Sequence, residues 1–307
     1  MTHTTRTSHW CPRPRESARL LVDLDDERLR ARDDTGLDVQ VLSLSTPGVQ
    51  NLERADAVAL QTSTNDLLAA TVRARPDRFR GFATLATPDP AAAADELRRG
   101  VTELGPDGAL VFCRTRERTL DHPDFRPIFE AAEALRAPLY LHPQSPPPQV
   151  RAAYYHGLGD AADAAFATFG LGWHHDSGVQ LLRLILSGVF DRYPGLQVIV
   201  GHWGETVLFY LERIEKIPAV AKLDRPLAAY FRQNIHLTPS GMFSGRYLRW
   251  AAEVVGADRI MLATDYPFER APRGGTRRFL QEAELSEADR RRIGSENWNR
   301  LCAGIRR

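Results

Sequence analysis

The feature that most constrains the fold is an alternation of short runs rich in Val, Ile and Leu with longer stretches whose apolar residues recur at helical spacing. A parallel sheet buried beneath helices requires this rhythm, because each strand is covered on both faces and each return is made by a helix. The runs stand at 39–44, 81–85, 108–112, 138–142, 197–201, 235–238 and 260–264. Helical patterns fill the intervals at 25–35, 54–74, 90–104, 125–135, 178–190 and 246–255, and a last one covers 287–301. Their ends are marked: Gly36 suits the left-handed position after a helix, and Asp89-Pro90 is a capping residue followed by Pro at the first helical position. Residues 143–172 break the rhythm with Pro, Ala, Gly and Tyr and are expected to form a long active-site loop.

A closed barrel of this kind needs eight strands, one more than the runs supply. The expectation is an α/β fold of (β/α)8 TIM-barrel type with a lacking or atypical first strand. Residues 1–18 are then a polar, disordered N-terminal segment, and 19–307 one barrel domain. The segment before residue 19 is polar and carries Pro12 and Pro14, a poor composition for a core strand. An alternative is that the natural chain starts upstream of Met1 with that strand.

Forty Lys plus Arg against thirty-nine Asp plus Glu give a formal net charge of +1, so no global field draws the chain to nucleic acid or anionic lipid. Cys11, Cys113 and Cys302 have no CxxC spacing, which argues against a disulfide framework and a thiolate zinc site and fits a reducing cytoplasm. With no signal-like or membrane-spanning run, the expected partner is a small molecule; homo-oligomerisation is left open.

Chemistry gathers at strand ends. His142 closes PLYLH, His202 closes VIVGH and Asp265 closes IMLATD. In a parallel barrel these ends converge on one mouth, where imidazole and carboxylate would suit Zn²⁺ or Mn²⁺. Each alone has a plainer reading, a His capping the next helix or an Asp forming a turn. Their recurrence on the same element type favours a site.

The order and spacing of RLRARDDTGLDVQVLSLSTPGVQ (28–50), RPDRFRGFATL (75–85), PLYLHPQ (138–144), GHWGE (201–205) and ADRIMLATDYPFE (257–269) resemble the amidohydrolase-related family, in its aromatic-acid decarboxylase type. The resemblance implies that His142 and Asp265 are metal ligands. It also pairs His202 with Glu205, so that His202 orients substrate or moves a proton; Glu205 could otherwise be an exposed first-turn residue favourable to a helix dipole. The implied reaction is decarboxylation of a hydroxylated aromatic or unsaturated acid without an organic cofactor: a divalent ion holds the carboxylate and a neighbouring hydroxyl, and Asp265 protonates the carbon that loses CO₂.

Three departures qualify it. The family's first strand carries Glu-x-His or His-x-His, and no such pair occurs here; His3 and His9 lie in a polar segment. Gln144 stands where the decarboxylases often have Arg, and Phe112-Cys113 where related enzymes place Asn. With two ligands only, an ion is expected to bind weakly or not at all. The rival readings are a metal-dependent hydrolase of a lactone, ester or amide, and a non-catalytic or repurposed barrel.

Gln144, Phe112, His156, Trp173 and Trp203 are candidates for a substrate pocket, with Tyr154 and Tyr155 as further aromatics. His174 and His175 are adjacent, cannot point the same way, and read as pocket lining or surface. His236 falls inside a strand, as a core or a functional residue, and His122 reads as the first residue of a helix.

Overall fold

The computed structural model describes residues 14–269 and 274–307. Its strands are β1 (Gln40–Leu42), β2 (Phe79–Gly81), β3 (Ala83–Thr84), β4 (Ala109–Phe112), β5 (Arg114–Thr115), β6 (Arg118–Thr119), β7 (Leu139–His142), β8 (Val198–Val200) and β9 (Ile235–Leu237). β1 and β2 pair in parallel, β3, β4, β7, β8 and β9 form one parallel sheet in that order, and β5 and β6 make a small antiparallel hairpin. β2 and β3 are one strand broken at Phe82. The Phe82 N–H bonds Leu42 O at 2.8 Å, and the next N–H, of Ala83, turns to Gly108 O at 2.8 Å. The last run joins through Ile260, bridged in parallel to Leu237, and through Met261 N–H to Leu237 O at 2.9 Å. The seven apolar runs thus succeed one another in chain order around a (β/α) barrel.

Alternation sorts the core into two layers. Ala109, Val111, Leu139, Leu141, Val198, Val200, Ile235 and Leu237 face outward and pack with the helices. Leu110, Tyr140, Ile199 and His236 form one row across the strands, directed into the barrel, where Phe82, Leu110, Phe112, Ile199 and Met261 make the inner cluster. Between the 261–265 segment and β1 no strand lies among the described residues. A cavity of about 1460 Å³ runs there from the mouth into the interior, lined in part by Val41, Phe82, Leu110, Ile199, Met261 and Trp298.

Several helices form as the sequence dictates. Arg54–Ala74 has the expected limits, Asp26–Thr35 ends at left-handed Gly36 (φ 82°), and Asp89 caps Pro90–Arg99 by accepting from Ala92 N–H. Others differ. Residues 14–18, expected in a disordered tail, belong to the helix Pro14–Val22, which buries Leu20; residues 1–13 lie outside the described residues. The expected loop at 143–172 contains helices at Pro148–Tyr154 and Asp160–Ala165. The proline run that reads as a loop starts the first of these, since Pro at a first helical position has no N–H to lose. The helix expected at 178–190 is Gly172–Leu186, followed after left-handed Gly188 by the separate turn Val189–Arg192. No helix among the described residues is long and apolar enough to cross a membrane.

Candidate active site at the barrel mouth

His142 ends β7, one inward position above Tyr140, with its ring edge-on to Phe112 at 5.4 Å. Its Nδ1 lies 2.7 Å from the Pro143 carbonyl oxygen, an acceptor, so the proton sits on Nδ1 and the Nε2 lone pair stays available. Burial pushes its pKa down, which favours the neutral imidazole that coordination requires.

Beyond β8 the backbone turns back on itself. His202, Trp203, Glu205 and Thr206 all adopt positive φ (46°, 57°, 53° and 70°), around Gly204 at 84°. Such a run costs conformational energy and survives where its surroundings hold it. A side chain on Gly201 would place its Cβ 2.9 Å from Ser240 Oγ and 3.0 Å from Tyr140 Oη, so it would have to displace that hydrogen-bonded pair. The turn brings the Glu205 carboxylate, wholly buried, under two imidazoles: Oε1 is 2.8 Å from His202 Nδ1 and Oε2 is 2.8 Å from His174 Nδ1. Burial would raise the Glu205 pKa, but the His202 charge and hydrogen bonds from both rings outweigh it and hold it at about 2. For His202 burial acts downward, and Glu205 together with Asp265 reverses it, to about 10. Both statements describe one buried ion pair.

Asp265, at φ 59°, closes the last run, with Oδ2 3.9 Å from His202 Nε2. It lines the same cavity as His142, and its charge acts on His142. Burial, then repulsion from Asp265, pushes the Glu269 carboxyl up, which puts a second acid beside the first. His142 and Asp265 thus line one cavity and His202 Nε2 approaches Asp265, while Glu205 is buried rather than an exposed first-turn residue.

The other pocket candidates have varied surroundings. Gln144 is buried, donating to Arg114 O and accepting from Gln50 Nε2. Phe112 packs in the inner cluster, and Trp203 is a core residue donating to Met242 O. Trp173 reaches Ser145 Oγ at 3.2 Å, while exposed His156 pairs with Asp163 at a small separate pocket that Tyr155 also lines. Tyr154 and His175 are exposed. His236 lies in the inner row, held neutral by burial and by Arg259 and Arg300, with no partner at Nδ1 among the described residues. His122 caps the turn Pro123–Phe125. His3 and His9 lie outside the described residues.

His174 is the residue the sequence reading misplaced, since it neither lines the main cavity nor faces solvent freely. A signal existed: Gly178 follows at i+4 on the same helical face, and a Cβ there would meet Glu205 O at 2.3 Å. That glycine lets the helix Gly172–Leu186 approach the 202–206 turn closely enough for His174 to reach the carboxylate.

Two groupings could hold a cation. Among the described residues, His174, His202 and Glu205 are the one set of three donors within 4.8 Å of one another. Their Nδ1 atoms and both carboxylate oxygens are already bonded together, and His174 Nε2 faces Phe169 O at 3.1 Å. His142 and Asp265 fit a divalent ion better: an imidazole with its Nε2 lone pair available and a carboxylate at the edge of one cavity.

A family model described as "Amidohydrolase" matches residues 7–301. The γ-resorcylate decarboxylase of Rhodococcus jostii is 38% identical over 293 residues, 90% of this chain and 87% of that protein. A crystal structure of 2,6-dihydroxybenzoate decarboxylase in complex with 2,6-dihydroxybenzoate superposes with a TM-score of 0.85 at 35% identity, covering 94% of this chain and 91% of that one. The dihydroxybenzoic acid decarboxylase of Polaromonas sp. JS666, with bound manganese and the inhibitor 2-nitroresorcinol, does so with a TM-score of 0.85 at 35% identity, covering 94% and 89%.

Proposed function

The chain belongs to the amidohydrolase family, and on that premise we propose that it is a carboxy-lyase acting on a hydroxylated aromatic acid, with a divalent ion, Mn²⁺ rather than Zn²⁺, as its cofactor. The observation that carries this reading is that His142 and Asp265 line one cavity together with Phe82, Leu110 and Ile199, while His202 Nε2 lies 3.9 Å from Asp265 Oδ2. The manganese bound in the Polaromonas enzyme supports the choice of metal.

His142, through Nε2, and Asp265 would hold the ion, whose chemistry is to stabilise negative charge on the substrate carboxylate and an adjacent phenolic oxygen. Asp265 donates a proton to the ring carbon bearing the carboxylate. Aromaticity is lost at that carbon, the bond to the carboxylate breaks, its electron pair returns to the ring, and CO₂ leaves. The balance is one aromatic carboxylate plus one proton giving one arene plus CO₂, so Asp265 must be reprotonated in each turnover. His202, its ring fixed by Glu205 and its Nε2 turned to Asp265, orients that carboxyl and the incoming substrate.

The test is incubation of the purified chain with Mn²⁺ and 2,6-dihydroxybenzoate. Resorcinol and CO₂ in equal amounts, abolished by chelator, support the reading. Hydrolysis of a lactone or ester panel with no release of CO₂ from any hydroxybenzoate would replace it with the hydrolase.

A further inference from the structure

We infer that His174 is a positioning residue for the reaction, locking Glu205 and through it the His202 imidazole that faces Asp265. This rests on the proposed decarboxylation and goes beyond it by giving a role to a residue outside the cavity. Glu205 has two oxygens and two imidazole partners at equal length, 2.8 Å, and both rings use Nδ1. A buried carboxylate held by one ring could pivot about its Cγ–Cδ bond; one held on both oxygens cannot without breaking a short charged hydrogen bond in a dry environment. The second ring is itself anchored, because His174 Nε2 is 3.1 Å from Phe169 O and the His174 and His202 rings are in edge contact with centroids 4.3 Å apart.

The chain of constraint therefore runs from the helix Gly172–Leu186 to the reacting carboxylate: His174 to Glu205, Glu205 to His202 Nδ1, and His202 Nε2 to Asp265 at 3.9 Å. Gly178 is the steric condition for the first link. The strained turn at 202–206 is the element that needs holding, since four non-glycine residues with positive φ there relax once the bonds that fix them are lost. His174 touches neither the cavity nor Asp265, so its loss should spare substrate binding and lower the rate of the chemical step.

Two variants and two readouts test this. His174→Leu fills the space without a donor, and His174→Asn places an amide N–H where Nδ1 stood. With Mn²⁺ and 2,6-dihydroxybenzoate, His174→Leu is expected to lose about 10- to 100-fold in kcat, the scale of a misplaced catalytic group, with KM changed less than about threefold. His174→Asn should recover kcat to within about fivefold of the parent. The downfield proton resonance of the His202 Nδ1–H···Glu205 bond should persist in the Asn variant and shift or broaden in the Leu variant. This readout needs no turnover, so it judges His174 even if the parent releases no CO₂, a result that would sink only the proposed reaction. Parental kcat with an unmoved His202 resonance in His174→Leu overturns the inference. So does a failure of His174→Asn to restore either readout while the protein remains folded.

Discussion

The two sides of the barrel are built differently. On one, β3, β4, β7, β8 and β9 form an unbroken parallel sheet, and the helix Gly172–Leu186 packs over the strand ends; this side supplies His142, His174, His202 and Glu205. On the other, among the described residues, β1 pairs only with β2, the 260–264 run is bridged only to β9 through Ile260, and the large cavity opens between them; this side supplies Asp265. Among the described residues, the first side fixes its polar groups by hydrogen bonds of 2.7–2.8 Å, whereas the Asp265 carboxylate is approached by His202 at 3.9 Å. The orienting half of the site is thus preorganised, and the proton-donating half stands at the edge of the space a metal and substrate would enter. A pairing of this kind leaves the acid free to meet its substrate while the groups that steer it stay still.

The largest effect that would break the comparison is at its open side. Asp265→Asn should lower kcat by about 1000-fold or more, because it removes the proton donor and a metal ligand together. Activity close to the parent's would take Asp265 out of the mechanism. On the closed side, Glu205→Gln deletes the charge under two imidazoles and should cost about 100-fold in kcat; a loss below threefold would mean that the clamp does not steer catalysis. Core substitutions sharpen the contrast in stability. Leu139→Ala, in the sealed outward layer, should cost about 2–5 kcal/mol in chemical denaturation, and Met261→Ala, already beside the cavity, markedly less. Equal losses would mean that the open side is as tightly packed as the closed one.

The pH dependence follows from the clamp. Glu205 has its pKa depressed from the usual 4.5 to about 2, so its contribution is present above pH 4.5 and lost as pH falls through about 2. His202 is raised from 6.5 to about 10, so its contribution is complete below pH 6.5 and lost as pH rises through about 10. Unfolding free energy measured across pH should carry both limbs in the parent, whereas Glu205→Gln should lose the acid limb and keep only the part of the alkaline limb that Asp265 supplies; identical profiles would deny the pair its role. The smallest effect belongs to exposed His156, whose conversion to alanine should leave kcat and KM within about twofold, as surface changes away from a site do.

Much of this was legible in the residues. The apolar runs give the barrel strands and their order because a strand buried on both faces must be apolar throughout. Strand-end chemistry gives His142, His202 and Asp265 because parallel strands bring their ends together. What was hidden depended on packing between distant elements. His174 and Glu205 meet because Gly178 admits the 202–206 backbone, and the His-Gly spacing at i+4 marks the close approach without naming the partner. The aromatics divide for a packing reason: Trp203 is drawn into the outer core, while Phe112 packs in the inner cluster beside His142. The helices inside 143–172 were masked by prolines that read as breakers, although Pro148 starts one of them.

The central claim, that Asp265 delivers a proton to the carbon that loses CO₂, is tested most directly by running the Mn²⁺-supplied protein with 2,6-dihydroxybenzoate in D₂O and locating the label in the product. The account predicts one equivalent of CO₂ for each resorcinol and a single deuterium at the former carboxylate carbon, with Asp265→Asn giving neither. Turnover of the acid by Asp265→Asn at the parent's rate, or consumption of the acid without release of CO₂, would contradict it.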